Sequence, residues 1–426
     1  MARLTLSNGM LELTFGAAEK VLGLVGDLRI PLSAVVAVAV TDKPFTAVKG
    51  IRAPGFALPG RTRIGTWRAV GQRILVVAKA NQTALVLTLR DEKFSTIVVS
   101  ADNAHELADA LISSAPTLAF AEVDMSFTSE GEVLAGTYTR PAGGAPIAQV
   151  LLLPGSGKVD RDADHRRIPL SVSRHLAHAF AGKGIASLRF DKRGVGRSSG
   201  SYLRTGLIDN QVDAAAALTW LETSAPAAEE PAFLVGHSEG AILAELLAAD
   251  RSQLAGVVLL AAPGTTGEET MAWQTRQLAQ VLPPLAGIII KVLRIDIIKQ
   301  QRKAVAKLRS TSSDTMRMQG RTINARWQRE LLNFDPAAVL PRITAPVLAI
   351  TGAKDLQVNP DDLEIIRRQV AGPVEIQRPT DLTHLLRADP NPASFGTYKK
   401  LFRKRTDPNV VDAVSRWITA HATTRV

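Results

Sequence analysis

The chain has 426 residues, 46% hydrophobic and 21% charged, which is material for more than one core and excludes a disordered or fibrous class. It contains no cysteine, so disulfides, thiolate metal sites and a cysteine nucleophile are excluded together. The net charge of +11 sits mainly in two stretches: residues 264–342 hold 13 basic against 6 acidic residues, and residues 391–426 hold 7 against 2. No nucleic-acid recognition motif accompanies this charge, so a nucleic-acid partner is not expected. The start, Met1 to Ser7, lacks the combination of basic start, apolar run and small-residue cleavage site that marks a signal peptide. The early apolar stretch from Val21 to Val40 is broken by Asp27, Arg29 and Pro31 and is unsuited to cross a bilayer. A soluble cytoplasmic protein is the expectation.

Residues 1–116 carry strand-like runs at Met10–Phe15, Ala34–Val40, Ile74–Ala78, Ala84–Leu89 and Phe94–Val99, parted by turn residues such as Asn8-Gly9 and Asn81-Gln82. Asp102 then sits where a cap would open a helix. The reading is a small all-β domain closed by a C-terminal helix. With Gly50–Gly55 between its strands, this order resembles bacterial pleckstrin-homology-like domains. Ser113-Ser114-Ala115-Pro116 is the expected linker.

Over residues 122–426 the pattern changes to alternating strands and helices, the mark of an α/β domain. Glu122–Phe127 and Leu134–Arg140 read as an edge hairpin. Gln149–Leu153, Ala186–Phe190, Phe233–Val235, Val257–Ala261, Val347–Ile350 and Val374–Ile376 complete an eight-stranded, mostly parallel sheet. Residues 264–342 interrupt the alternation with helical material and no strong strand, where an insert would cap an active site.

The strongest chemical signal is Gly236-His237-Ser238-Glu239-Gly240, between the strand-like Phe233-Leu234-Val235 and the helix-like Ala241–Glu245. A nucleophile elbow needs this setting: a sharp strand-to-helix turn exposes the Ser238 hydroxyl, and the glycines remove side chains that would clash. A serine hydroxyl needs a base, and the base an orienting acid. Of seven histidines only His384 and His421 follow the seventh strand. His384 lies in a loop just past the eighth strand, whereas His421 belongs to a terminal amphipathic helix. Asp355, directly after Val347–Ile350, is the expected acid. Asp381 is the fallback, and Asp361 and Asp362 read as helix caps. The developing oxyanion needs donors, and the backbone N–H groups of Glu239 and Ser156 are the candidates. Pro154–Lys158 fails the P-loop pattern and Arg193–Ser198 fails the dinucleotide pattern.

Gly155-Ser156-Gly157 with Asp160-Arg161-Asp162, Asp191–Gly196, Gly236–Gly240 and Gly352–Asp355 together resemble the α/β-hydrolase superfamily, and most of all its bacterial esterase and lysophospholipase-like group. The resemblance implies a triad hydrolase, Ser238, Asp355 and His384, without metal or organic cofactor, acting on a small-molecule carboxylic ester. Ala241 stands where many relatives have a third glycine. An acyltransferase or a peptidase would use the same residues, and a docking module on an inactive scaffold is the rival from another class. The basic stretch Lys291, Arg294, Lys299, Arg302, Lys303, Lys307 and Arg309 suits either a cap with a solvated face or contact with an anionic membrane.

Overall fold

A computed structural model describes residues 2–423 except 8, 70–71, 91, 115–119, 166–167, 282–295, 319 and 403. The chain forms two compact units. The first comprises Met1–Met125, Thr137–Pro146 and Ala181–Ala186, and the second Ser126–Gly136, Ile147–Phe180 and Ser187–Val426. This division runs through the expected edge hairpin instead of falling at residues 116–122. The expected linker residues Ala115 and Pro116 lie outside the described residues.

In the first unit, β1 (Arg3–Ser7), β2 (Met10–Thr14) and β3 (Leu28–Pro31) form an antiparallel sheet, with a short helix α1 (Ala17–Gly23) in the β2–β3 connection. A second sheet contains β4 (Val35–Thr41), β5 (Ile51–Leu58), β6 (Thr62–Ala69), β7 (Gln72–Lys79), β8 (Ala84–Leu89) and β9 (Thr96–Ser100). Their order is β4-β8-β9-β7-β6-β5, antiparallel except at β7–β9. Helix α2 (Ala104–Ser114) places Ala104, Ala108 and Leu111, one face at helical spacing, on the core that also holds Leu11, Leu13 and Leu85. The Asp102 carboxylate, expected as its cap, accepts a bond from Gln82 Nε2 at 2.5 Å. Strands β5 and β6 escaped the sequence reading because Arg52, Pro54, Gly55 and Gly65 blunt their alternation, and the β5–β6 register shifts between Arg52 and Gly55.

A mainly parallel sheet contains β10 (Phe120–Ser129), β11 (Glu132–Pro141), β12 (Ala148–Leu153), β13 (Ile185–Phe190), β14 (Ala232–His237) and β15 (Gly256–Leu260), continued by β18 (Val347–Ile350) and β19 (Val374–Gln377). Its order is β10-β11-β13-β12-β14-β15-β18-β19, and the pairs from β12 through β19 are parallel. This is the expected eight-stranded, mostly parallel α/β sheet. Strands β12 to β15 and β18 are buried along their full length, which is why they read as continuous apolar runs. Helices α3 (Val172–Ala181), α4 (Leu207–Thr223) and α5 (Glu239–Ala249) connect successive strands.

The insert after β15 carries α6 (Gly267–Gln280), α7 (Ile297–Arg309) and α8 (Ala325–Leu332), and also a hairpin, β16 (Thr315–Met318) with β17 (Arg321–Asn324), where no strand was expected. Met316, Met318 and Ile323 turn inward from it onto Val305, Leu308, Ala325 and Leu332. Four-residue strands whose inward residues include two methionines carry little β signal. Thr266 caps α6 by accepting the N–H of Glu269. Lys291, Arg294 and the apolar residues 288–293 of the basic stretch lie outside the described residues.

Candidate active site

At the end of β14 the chain reverses into α5 through Ser238, whose backbone is held at φ 57° and ψ −116°. A non-glycine residue there costs roughly 1–3 kcal/mol, and the surrounding hydrogen bonds hold it in place. Ser238 N–H donates to Leu260 O at 2.9 Å, and Ser238 O accepts from Ala241 N at 2.9 Å. The flanking glycines are sterically obligatory. A Cβ on Gly236 would lie 2.1 Å from Gly240 O, and one on Gly240 would lie 2.0 Å from Leu153 O. Ala241, in the position of the missing third glycine, is fully buried.

The structure brings Asp355 and His384 together. Asp355, 3% exposed, accepts from His384 Nδ1 at 2.8 Å through Oδ2 and at 3.1 Å through Oδ1, while Oδ1 also accepts the backbone N–H groups of Gln357 at 2.7 Å and Val358 at 2.9 Å. Donation from Nδ1 leaves the lone pair of His384 on Nε2, the form a general base requires. The loop carrying His384 is set by Thr383 N–H to Arg387 O and by the fully buried Arg387, whose guanidinium donates to Leu385 O and Leu170 O. Among the described residues Ser238 Oγ makes no hydrogen bond; bonds between nucleophile and base commonly tighten only with substrate bound.

His237 went unnoticed in the sequence. Its Nε2 donates to His384 O at 2.9 Å, and its ring centroid lies 5.1 Å from that of His384. The residue preceding Ser238 therefore anchors the main chain of the candidate base beside the elbow. Burial, reinforced by the nearby His384, pushes the His237 imidazole down to about 3, so it stays neutral. Nothing in the local pattern shows where this imidazole points; only the β19 loop supplies its acceptor.

The other acidic and basic candidates have separate partners. Asp381 is half exposed and pairs with Lys354 at 2.6 Å. Asp361 pairs with Arg378 at 2.7 Å, and Asp362 is buried, accepting from Gly264 N–H at 2.9 Å. Neither caps its helix through the side chain in the way expected. His421 Nδ1 bonds Trp417 O within the terminal helix. Gln274 of α6 donates to Gln357 O at 2.7 Å, which ties the insert to the loop of Asp355.

The loop after β12 lies against the elbow: a Cβ on Gly155 would sit 3.5 Å from Ser238 Cβ. Ser156 is exposed on this loop, and Glu239 opens α5. Among the described residues the backbone N–H groups of Ser156 and Glu239 have no acceptor within the chain. The charged motifs nearby form a framework. Arg161 donates twice to the Asp191 carboxylate at 3.1 and 2.7 Å. Lys192 Nζ bonds Glu239 Oε1 at 3.0 Å, and Arg193 grips Asp213 at 2.7–2.9 Å. Three consecutive charged residues after β13 thus reach three different parts of the chain.

A family model described as serine aminopeptidase, S33, matches residues 170–391. Esterase EstD of Thermotoga maritima is 29% identical over 289 residues, covering 67% of this chain and 65% of that protein, so the match spans just under two thirds of the relative's length. Among solved structures, Est1E from Butyrivibrio proteoclasticus with bound ferulic acid is 17% identical with a TM-score of 0.47, covering 70% of this chain and 98% of that one. Proline iminopeptidase from Mycobacterium smegmatis is 15% identical with a TM-score of 0.48, at the same coverages. The family match takes in more than half of the chain, and Ser238, Asp355 and His384 all fall within it; the protein belongs to the serine aminopeptidase S33 family of α/β hydrolases.

Proposed function

We propose that the protein is a serine carboxylesterase in which Ser238 is the nucleophile, His384 the general base and acid, and Asp355 the orienting acid. The observation that carries this reading is the buried Asp355–His384 pair, docked through His237 onto a strained elbow that presents Ser238. Ser238 Oγ attacks the ester carbonyl carbon while its proton passes to His384 Nε2. The carbonyl oxygen becomes an oxyanion received by the N–H groups of Ser156 and Glu239. Collapse breaks the bond to the alcohol, which leaves with the proton from His384. Water then attacks the acyl-enzyme, gives its proton to His384, and the acid departs as Ser238 recovers the proton.

The name of the relative from Thermotoga maritima favours ester over amide as substrate, whereas the description of the family model favours a peptidase. The two are separated by comparing kcat/KM for p-nitrophenyl esters of graded acyl length with that for aminoacyl p-nitroanilides. The account expects the esters to be preferred, with Ser238→Ala inactive on both. Preference for an anilide with a free amino terminus would install the peptidase reading.

In this reading residues 1–116 form a separate pleckstrin-homology-like domain, residues 122–426 carry the chemistry, and the enzyme works in the cytoplasm, where a chain without cysteine needs no oxidising compartment. No helix among the described residues is long and apolar enough to cross a membrane. Helix α7 buries Val305 and Leu308 while Lys299, Arg302 and Lys303 are exposed, which supports a cap helix with a solvated basic face over one at a lipid surface. Co-sedimentation with anionic vesicles at low salt, lost on neutralising those three residues, would reverse that preference.

A further inference from the structure

Lys192 stands just past the end of β13, the neighbour of β12, which in turn borders β14. From there its side chain crosses beneath the loop after β12 and ends against the first residue of α5. Nζ donates to Gly155 O at 2.9 Å and to Glu239 Oε1 at 3.0 Å, and the two side chains are only 5% and 2% exposed. Asn210 Nδ2, from α4, donates to the same Glu239 oxygen at 2.9 Å. A lysine and a glutamate are seldom buried so fully, and an ion pair there contributes little to stability compared with apolar residues of the same size. Its position suggests another use.

The carbonyl of Gly155 and the N–H of Ser156 belong to one peptide unit. No peptide bond in the described chain is cis, and in a planar trans unit the C=O and the N–H point in opposite directions. A cation that fixes Gly155 O therefore fixes the direction of Ser156 N–H. The same cation holds the side chain of Glu239, whose own backbone N–H is the second candidate donor and lies at the positive end of α5. We propose that Lys192 is a positioning residue for the oxyanion site, locking the Gly155–Ser156 peptide and the Glu239 turn in one arrangement so that both N–H groups converge on the same point. Such preorganisation matters because donors that need not reorient as charge develops stabilise the transition state more than the ground state. The inference rests on the reading of Ser238 as nucleophile and of Ser156 and Glu239 as oxyanion donors.

The test uses the full chain with Lys192→Met and with the double variant Lys192→Met/Glu239→Gln. The single variant leaves a carboxylate buried without its cation and is at risk of misfolding. The double variant removes both charges and guards against that. Active sites are counted by running fluorophosphonate labelling of Ser238 to completion, and turnover of p-nitrophenyl butyrate is expressed per labelled site. Loss of preorganisation predicts a fall in kcat of about 10- to 100-fold, below the full loss of an oxyanion donor, with KM within about threefold. It also predicts that the inhibition constant of a trifluoromethyl ketone, which forms a tetrahedral oxyanion on Ser238, rises by the same factor as kcat/KM falls. A purely structural pair would lower the melting temperature and the number of labelled sites while leaving kcat per site and inhibitor affinity unchanged, and that result overturns the inference. If Ser238→Ala hydrolyses the ester as well as the unsubstituted protein does, the nucleophile reading itself has failed. An inactive Ser238→Ala beside a double variant of normal kcat sinks the role of Lys192 alone.

Discussion

Replacing Asp355 by asparagine is expected to lower kcat on the order of 10³- to 10⁴-fold with little change in KM. The size follows from the partners of each carboxylate oxygen. Oδ1 accepts two backbone N–H groups, from Gln357 and Val358, and lies 3.1 Å from His384 Nδ1, while Oδ2 is the nearer acceptor for His384 Nδ1, at 2.8 Å. An asparagine amide keeps its oxygen toward the two backbone donors, because the flipped orientation would turn an NH2 against both. Each buried donor left without an acceptor costs about 1–3 kcal/mol, so the flipped form is disfavoured by roughly 2–6 kcal/mol. In the retained orientation the amide NH2 faces His384 Nδ1, which must then accept, and the ring proton moves to Nε2. A histidine in that tautomer cannot take the proton of Ser238 Oγ. Steady-state hydrolysis of a short soluble ester measures the effect, with circular dichroism and melting temperature as checks on folding. Asp381→Asn is the control, since Asp381 is half exposed and among the described residues its side chain pairs only with Lys354, and it should retain activity within about threefold. Activity of folded Asp355→Asn within tenfold of the unsubstituted protein, or an equal loss in Asp381→Asn, would refute the argument.

Gly240→Ala should yield little soluble protein or a strongly lowered melting temperature, since its Cβ would meet Leu153 O at 2.0 Å and Leu153 C at 2.5 Å, both backbone atoms of a buried strand. A normal melting temperature would show that the elbow yields where the steric account says it cannot. Glu245 is fully buried in α5, neither of its oxygens has a hydrogen-bond partner among the described residues, and burial followed by the nearby Asp362 raises its carboxyl well above the ordinary range. The folded chain then holds a proton that the unfolded chain releases, so stability falls as pH rises from about 4.5 toward the raised folded value, by up to about 1.4 kcal/mol per pH unit. Glu245→Gln removes that dependence, and its melting temperature relative to the unsubstituted protein should climb between pH 5 and 7. A difference that stays flat with pH would show that the carboxyl is ionised in the folded state.

The strand-to-helix turn at Ser238 and the loops carrying Asp355 and His384 were legible because each depends on local order: strands, turns of permitted residues and helices in a fixed sequence. Val347–Ile350 placed Asp355, and the run at Val374 placed His384, since loops after parallel strands deliver side chains to one edge of the sheet. What escaped depends on contacts distant in sequence. His237 acquires its meaning from a carbonyl 147 residues away, and Lys192 from Gly155 and Glu239, 37 and 47 residues off. The motif holding Asp191, Lys192 and Arg193 was visible, but charges in a row do not say which elements they grip. Likewise Asp362 looked like a cap because it opens a helix, whereas its carboxylate receives Gly264 N–H from the loop after β15. The hairpin at 315–324 and the strands β5 and β6 were lost for a third reason, short or interrupted alternation that only packing makes decisive.

The central claim is that Ser238 is the nucleophile of an acyl-transfer reaction. Its most direct test is fluorophosphonate labelling of the full chain, with mass spectrometry of the digested product and parallel ester hydrolysis. The account predicts a single adduct on Ser238, loss of hydrolysis in step with its formation, and neither labelling nor turnover in folded Ser238→Ala. An adduct on another residue, or ester turnover undiminished in Ser238→Ala, would contradict it.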